Sequence, residues 1–254
     1  MTITSPADLS GLAWWLDADQ ETGYAHGAPV TTWSDRSGNG RHATRSAGLA
    51  PLMVENAQNG RRALLFDGTK ELLAPSGFIT TGSGTMFGAY AAVDTGGDPY
   101  LVSSTDIGGG FPAPNRYRWY FGPHRFALGQ DAYLLDGGQG FNFEDDEVFG
   151  RWVSLHGVAD GTNWGTGTRC SRNAKPRGPL SATPTTGTAT NRPVGVGVYV
   201  DQSTQRFAGV AGEIIHYARA LSEAEIDEVH QYLAVKWGIR CGGFVVGAVS
   251  MGRG

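Results

Sequence analysis

The stretch FAGVAGEIIHYARALSEAEIDEVHQYLAVKWGI, at residues 207–239, decides the fold of this chain. Its segment GEIIHY (212–217) is rich in β-branched and aromatic residues, which predicts a strand. Ser222 followed by Glu225 is a capping-box pattern that predicts the start of a helix, and Gly238 predicts its end. Apolar residues recur at helical spacing at Ile226, Val229, Leu233 and Trp237. We expect this amphipathic helix to lay its apolar side on a β-sheet.

The overall composition favours one turn-rich β domain. The chain has 254 residues, enough for a large sandwich, and it contains 39 glycines with a charged fraction of 17%. This abundance of glycine and aromatic residues is not the composition of a disordered chain. The formal net charge is −4 and no polybasic block occurs, so we expect no nucleic-acid partner.

The sequence shows little sign of a targeting signal, a membrane span or a disulfide framework. The N-terminal sequence MTITSPADLSGLAWW lacks a basic region followed by an apolar core, so it predicts no secretory signal. No apolar run approaches about 20 residues, so no membrane insertion is expected. Cys170 and Cys241 are too few for a disulfide framework, and two free thiols are favoured over one bridge.

Several other stretches have strand character. Runs of apolar and β-branched residues predict strands at 12–17, 63–68, 151–158 and 194–200. Residues 78–93 alternate small and apolar side chains, as expected of a strand pair with one buried face. The many separate short strands favour an all-β fold.

The loop that follows Trp33 is predicted to be a tight turn. Asp35, Ser37 and Asn39 can bond back to the backbone, while Gly38 and Gly40 permit a positive φ. This structural interpretation is favoured over a metal-binding loop, because the spacing of an EF-hand and its terminal glutamate are absent.

Five stretches of the sequence occur in the same order as in a known family of domains. They are LAWWLDAD at 12–19, WSDRSGNGRHA at 33–43, LFDG at 65–68, GRWVSL at 150–155, and EIIHYARALSEAEI at 213–226 running into YLAVKWG at 232–238. Together they resemble laminin G-like domains of the concanavalin A-like lectin and glucanase jelly-roll superfamily, in the bacterial and phage form with a C-terminal helix. The resemblance implies an all-β, concanavalin A-like β-sandwich (jelly roll) with one C-terminal α-helix. It leaves the function open, since this fold hosts lectins, adhesion modules, viral surface proteins and glycosidases.

This resemblance divides the chain into three parts. Residues 1–11 are expected to be an N-terminal arm, residues 12–239 the laminin G-like domain, and residues 240–254 an apolar C-terminal tail. The tail carries FVVGAV at 244–249, which is apolar enough to need a partner. We expect it to pack on the domain's own sheet edge or to act as an assembly element in a homo- or hetero-oligomer.

The loop-rich, aromatic segment at 94–142 is the predicted place of a binding site. Sugar recognition uses aromatic rings that stack on sugar faces and planar polar groups that bond hydroxyls. The candidate ligand-binding residues are Tyr100, Asn115, Arg116, Tyr117, Trp119, Tyr120 and Trp164. An alternative stays open, in which Tyr117, Trp119 and Phe121 alternate as the core face of a strand.

A calcium ion is the one cofactor that the resemblance implies, because laminin G-like domains often bind one near their loop rim. Asp94, Asp98 and Asp106 lie in the loop-rich segment and are the candidate metal ligands. No H-x-x-x-H or C-x-x-C spacing exists, so a zinc site is not expected.

Catalysis is not expected. A glycosidase needs two carboxylates about 5–10 Å apart on one face, whereas the acidic cluster at 144–147 is contiguous and predicts a solvated turn. No G-x-S-x-G motif occurs, and the histidines are scattered. Among them, His216 and His230 are predicted to pack near the helix.

The sequence therefore predicts a non-catalytic surface or structural protein that binds glycans or protein partners. A phage virion component, either a capsid decoration protein or a tail-associated adhesin, is the leading interpretation, with a virion-surface or extracellular location. A secreted bacterial carbohydrate-binding module is the first alternative. A glycoside hydrolase with an unfamiliar pair of carboxylates is the second.

Overall fold

The computed structural model describes residues 3–79, 83–93, 100–105, 117–121, 125–130, 140–142, 150–159, 164–168, 193–199 and 202–239. Its strands are β1 (Leu12–Asp17), β2 (Thr32–Trp33), β3 (Ala43–Thr44), β4 (Leu52–Gln58), β5 (Arg61–Asp67), β6 (Leu72–Ala74), β7 (Gly84–Ala92), β8 (Val102–Thr105), β9 (Tyr117–Phe121), β10 (Arg125–Gln130), β11 (Gly140–Asn142), β12 (Trp152–Ala159), β13 (Trp164–Thr168), β14 (Val194–Val196), β15 (Val198–Tyr199), β16 (Gln202–Arg206) and β17 (Ala208–Tyr217). One α-helix, α1 (Glu223–Trp237), follows them, and short 3₁₀ turns occupy Pro6–Asp8 and Ala18–Gln20.

Two antiparallel sheets contain nearly all of the described strands. Sheet A has the order β13-β12-β7-β17-β5-β4, with β1 also paired to β17. Sheet B has the order β11-β10-β9-β8-β14-β6-β3-β2, and β15 pairs with β16 in a separate hairpin. This confirms the predicted all-β sandwich with one C-terminal helix.

The main core lies between the two sheets. Trp14, Phe66 and Ile214 from sheet A meet Val102 and Val196 from sheet B in one buried cluster. Residues that alternate with these on sheet A are buried as well, because the helix covers the outer face of that sheet. The strand at 84–92 is therefore buried on both faces. The sequence predicted a strand pair at 78–93 with one buried face, and for the described residues this prediction was wrong.

Helix α1 forms a third layer on the outer face of sheet A. Ser222 and Glu225 make the predicted capping box, and Gly238 closes the helix in the left-handed conformation with φ of 62°. The predicted apolar stripe packs against residues of sheet A such as Phe87 and Ile215. Start, end and buried side of the helix are all confirmed.

Strand β17 is the centre of sheet A. Its first half pairs with β5 and its second half with β1, while β7 runs along its other edge. Gly212 lies at the register shift between the halves, and a Cβ there would lie 2.5 Å from the ring of Trp237. Glycine at this position lets the last residue of the helix approach the strand backbone. The ring of Trp237 also stacks on Trp152, with centroids 5.1 Å apart.

The N-terminal segment and the first turn are held by specific hydrogen bonds. The Tyr217 hydroxyl donates to the Pro6 carbonyl at 2.9 Å, and Ile3 is buried, so the described part of the expected arm packs on the domain. Asp35 accepts backbone N–H bonds from Trp15, Ser37 and Arg41. Desolvation raises the pKa of Asp35, but these bonds outweigh it and hold the pKa below its usual value. The turn is structural, as predicted.

Some predictions fall on residues that the structure does not describe. These are the acidic cluster at 144–147, Cys170, Cys241 and the tail at 240–254, which lie outside the described residues. Within the described part of the chain, no helix is long and apolar enough to cross a membrane.

Candidate functional site

One group of polar and aromatic side chains lies at one end of sheet B, where several strands begin or end. The group, called the Glu71 cluster below, consists of Arg45, Glu71, Tyr100, Tyr199 and Arg206. Arg45 follows β3, Glu71 precedes β6, Tyr100 lies shortly before β8, Tyr199 ends β15 and Arg206 ends β16. Antiparallel pairing of these strands brings their ends together, and a bridge joins residues 100 and 206 directly.

Glu71 lies between two arginines. One carboxylate oxygen binds Nη2 of Arg45, and the other lies 2.6 Å from Nη1 of Arg206. The Glu71 side chain is 6% exposed, whereas the side chains of Arg45 and Arg206 are 32% and 18% exposed. A carboxylate is buried only when it is paired, so the two guanidinium groups explain its position. Both cations also keep contact with solvent.

The two tyrosines of the cluster pack on each other. The ring centroids of Tyr100 and Tyr199 are 5.7 Å apart with an interplanar angle of 57°. Tyr100 is 5% exposed and Tyr199 is 4% exposed. Tyr100, a predicted ligand-binding residue, therefore presents little of its ring to solvent in this arrangement, and its backbone forms a bridge with that of Arg206.

Two further charges lie next to the cluster. Asp67 accepts hydrogen bonds from the backbone N–H and the hydroxyl of Thr69. Desolvation raises the pKa of Asp67, but these bonds and the charge of Lys70 outweigh it and hold the pKa below its usual value. Lys70 donates to the Gly48 carbonyl, and Arg206 donates to the Thr69 carbonyl at 3.0 Å. The segment 67–71 thus contacts Arg206 through the Thr69 carbonyl and both arginines through Glu71.

Strand β9 carries three of the predicted ligand-binding residues. By register, Trp119 pairs with Ser104 and Tyr120 pairs with Ser103. Paired residues of antiparallel strands share a face, and Phe121 pairs with the core residue Val102. Positions 117, 119 and 121 therefore lie on the core side of sheet B, and position 120 lies on the opposite face.

The other predicted site residues are more distant or not described. Trp164 lies at the start of β13 and pairs with Ala159 at the edge of sheet A, not with the Glu71 cluster. The remaining candidates, Asn115, Arg116, Asp94, Asp98 and Asp106, lie outside the described residues. Across the described ranges, no group of three or more His, Cys, Asp or Glu side chains is arranged to hold a metal ion. Calcium binding stays a prediction.

Another buried carboxylate lies on sheet A, under the helix. Glu213 accepts hydrogen bonds from the indole N–H of Trp15 at 2.7 Å and of Trp237 at 2.9 Å, and from the Tyr232 hydroxyl at 2.9 Å. The Lys236 ammonium lies 2.8 Å from Glu213 and 2.6 Å from Asp17. Burial raises the pKa of Glu213, and the charge of Lys236 opposes that rise. This network fastens the helix to β1 and β17.

A chain of three polar side chains also joins the helix to β12. The Ser154 hydroxyl lies 2.8 Å from Nδ1 of His230, and Nε2 of His230 lies 2.8 Å from Nδ1 of His156. Ser154 and His230 are fully buried and His156 is 4% exposed, with Phe87 packed against both imidazoles. A substrate has no access to the serine in this position, so the chain is a structural contact. His230 packs as predicted.

Sequence reasoning missed four members of the Glu71 cluster: Arg45, Glu71, Tyr199 and Arg206. Their partners are far apart along the chain, and no short motif contains two of them. One feature of the sequence could have pointed to this cluster. Glu71 is a charged residue directly before the short apolar strand Leu72–Ala74. Such a residue must find a counter-charge, but the sequence does not show which one.

Comparison with family models finds no match, and comparison with curated protein sequences finds none either. Among solved structures, the fold is similar to domain 4 of an extracellular GH43 arabinanase from Geobacillus stearothermophilus, solved in complex with arabinotriose. The TM-score is 0.52 with 13% identity, and the match covers 87% of this chain and 98% of that domain. It is also similar to the binding domain of Paraclostridial Mosquitocidal Protein 1, with a TM-score of 0.56, 12% identity, and coverage of 89% and 52%.

A third similar structure is Trypanosoma rangeli sialidase in complex with sialic acid. The TM-score is 0.51 with 14% identity, and the match covers 92% of this chain and 36% of the sialidase. The chain thus spans about half of the mosquitocidal binding domain and about a third of the sialidase. At these identities the likeness is one of fold.

Proposed function

We propose that this protein is a non-catalytic glycan-binding domain of laminin G-like type, and that the Glu71 cluster is its binding site. One observation carries the proposal: two partly exposed arginine side chains are held by a buried carboxylate, at strand ends that also carry a packed pair of tyrosines. Sugar sites combine a few fixed polar donors with aromatic side chains, and this cluster contains both, with the two tyrosine rings largely covered in the structure.

The guanidinium groups of Arg45 and Arg206 are suited to bind hydroxyls. Each guanidinium has five N–H donors in a rigid plane, Glu71 binds one nitrogen of each, and Arg206 also donates to the Thr69 carbonyl. Because Glu71 is itself buried, the two planes are held in fixed positions before a ligand arrives. Such preorganisation reduces the entropy cost of binding.

Solved structures of similar fold support a sugar ligand. The arabinanase domain was solved with arabinotriose, and the sialidase with sialic acid. In the present chain the fold alone leaves the ligand open, and the Glu71 cluster is what makes a sugar the best-supported choice.

The absence of catalysis is part of the proposal. Glycoside hydrolysis needs two carboxylates on either side of one bond, and one must be able to give up a proton. The Glu71 cluster contains one carboxylate, and both of its oxygens are bound by arginine. The placement on a phage virion and the role of the tail in assembly stay predictions from the sequence.

The test is direct binding. We expect the full chain to bind at least one oligosaccharide on an array that includes arabinotriose and both neutral and acidic glycans, with saturation confirmed by calorimetry. Arg206→Gln should remove this binding. Arg61→Gln is the matched control, because Arg61 pairs with Asp19 elsewhere on the surface, and it should leave binding unchanged. No binding by the folded wild-type protein, or equal loss in both variants, contradicts the proposal.

A further inference from the structure

We infer that Lys236 and Asp17 form an intramolecular amide cross-link, with Glu213 as the group that transfers the protons. The inference concerns the buried network under the helix, and it is independent of the proposed glycan site. The bond would be a covalent modification that joins the end of β1 to the last turn of α1. In the structure Lys236 and Asp17 are an ion pair in contact, which is the arrangement from which such a bond would form.

The reacting groups are already in contact. The ammonium nitrogen of Lys236 lies 2.6 Å from Oδ2 of Asp17 and 2.8 Å from Oε2 of Glu213. Asp17 and Glu213 are paired residues of β1 and β17, so their side chains lie on the same face of sheet A. The strands therefore hold the two carboxylates, and the helix brings the amine to both. Groups held together in this way react as if their concentration were very high.

The site is also shielded from water, which favours a reaction that releases water. The side chains of Asp17, Glu213 and Lys236 are 1%, 0% and 11% exposed. The rings of Tyr232 and Trp237 lie 5.5 Å and 5.4 Å from the ammonium nitrogen. A buried ion pair carries the desolvation cost of two charges, whereas an amide has no charge. Formation of the amide removes that cost from the folded protein.

The reaction balances without any other reagent. The nitrogen of Lys236 bonds to Cγ of Asp17, and the bond between Cγ and Oδ2 breaks. Two of the three ammonium protons pass to Oδ2, which leaves as water, and the third stays on the amide nitrogen. Glu213 accepts each proton from the nitrogen and passes it to Oδ2, so it is unchanged at the end. The Asp19 N–H donates to Oδ1, the oxygen that stays, and the Gln20 side chain donates to Oδ2, the oxygen that leaves.

The surroundings of Glu213 suit this role. Burial raises the pKa of Glu213, although the charge of Lys236 opposes that rise. A carboxylate with a raised pKa takes up a proton more readily, as a base must do here. Glu213 also keeps its hydrogen bonds from Trp15, Tyr232 and Trp237 once the ammonium charge has gone. The reaction therefore does not leave it buried without partners.

Intact-mass spectrometry of the denatured and reduced full chain tests the inference. We expect a mass that is lower by one water than the mass of the sequence, with or without Met1. A tryptic digest should then contain the peptide that ends at Arg36 joined to the peptide 220–240, which trypsin leaves uncut at Lys236. A mass equal to that of the sequence means a stable ion pair only and overturns the inference. Loss of water without the joined peptides overturns it as well.

Two lysine variants assign the bond to Lys236. Lys236→Arg keeps the positive charge but cannot form this amide, so it should have the full mass of its sequence. Lys70→Arg is the matched control, because Lys70 donates to the Gly48 carbonyl elsewhere, and it should show the same loss of water as the wild type. A loss of water that persists in Lys236→Arg contradicts the inference.

A third variant tests the proton transfer. Glu213→Gln, purified as folded protein, should form the cross-link about a hundredfold more slowly than the wild type, because general acid–base catalysis contributes at least this much. Glu213→Asp, which withdraws the carboxylate from the ammonium, gives the same comparison if the glutamine variant fails to fold. Cross-linking at the wild-type rate overturns the role of Glu213.

Discussion

Glu213 and Glu71 are both buried carboxylates bound to cations, but their surroundings differ. Glu213 is fully buried and receives hydrogen bonds from Trp15, Tyr232 and Trp237 in addition to Lys236. These partners are largely enclosed between the helix and sheet A. Glu71 receives two arginines whose side chains reach the solvent.

The difference separates a structural contact from a recognition site. A carboxylate whose partners are all enclosed can only hold elements together, because nothing outside can reach the donors. A carboxylate whose partners remain partly exposed fixes those partners for a ligand. On this reasoning the helix side of the sandwich provides stability, and the strand ends of sheet B hold the proposed binding site.

The largest expected effect is that of Glu213→Gln. The amide brings N–H groups close to indole, hydroxyl and ammonium donors, and it leaves Lys236 with Asp17 alone. Breaking a buried charge pair of this kind destabilises a protein by about 3 kcal/mol or more. Urea unfolding followed by tryptophan fluorescence measures the change. A loss as small as that of Glu71→Gln would show that the enclosed network is not a main source of stability.

The second effect is a pH dependence that comes from His216. Burial lowers the pKa of His216 to about 3, and the charge of Arg41 adds to this, whereas the histidine of the unfolded chain titrates near 6.5. As the pH falls below 6.5, the unfolded chain takes up a proton that the folded protein refuses. Stability should therefore decrease by about 1.4 kcal/mol per pH unit from this group alone.

The matched variant for this effect is His216→Gln. It removes the titrating group while it keeps a polar side chain, so its stability should fall less between about pH 6.5 and about pH 5 than that of the wild type. Urea unfolding of both proteins at the two pH values gives the difference between their slopes, in which the contributions of all other titrating groups cancel. Equal slopes would mean that His216 is not kept neutral by the fold.

The smallest expected effect on stability is that of Glu71→Gln. The substitution removes the charge of Glu71 and leaves Arg45 and Arg206, which can turn to water. The free energy of unfolding should therefore change by about 1 kcal/mol or less. Thermal melting measures it beside Glu213→Gln, which has the same change of side chain. A loss as large as that of Glu213→Gln would place the Glu71 cluster among the structural contacts and remove the contrast between the two sites.

The features that could be predicted from the sequence are those that residues close together in the chain determine. Ser222, Glu225 and Gly238 define the helix because caps act within one turn, and Gly38 and Gly40 define the turn because they take positive φ of 87° and 69°. Strand content followed from the same kind of local pattern, and the sandwich was what the resemblance to laminin G-like domains implied.

The candidate site did not follow, because its contacts join distant parts of the chain. Glu71 meets residues from two other strand ends, and only the three-dimensional pairing shows which ones they are. The alternation at 117–121 predicted a strand correctly, yet the face of each residue depended on register with β8. Sequence identified aromatic residues but not their side of the sheet.

Strand β17 has a consequence for the order in which the protein folds. It is the shared neighbour of β1, β5 and β7, and the bond between Trp15 and Glu213 spans 198 positions. During synthesis, β1, β5 and β7 are made well before their shared partner at residues 208–217. Closure of sheet A is thus a late event that depends on contacts of long sequence separation, which fold slowly. The helix that follows β17 then covers the newly completed sheet at once.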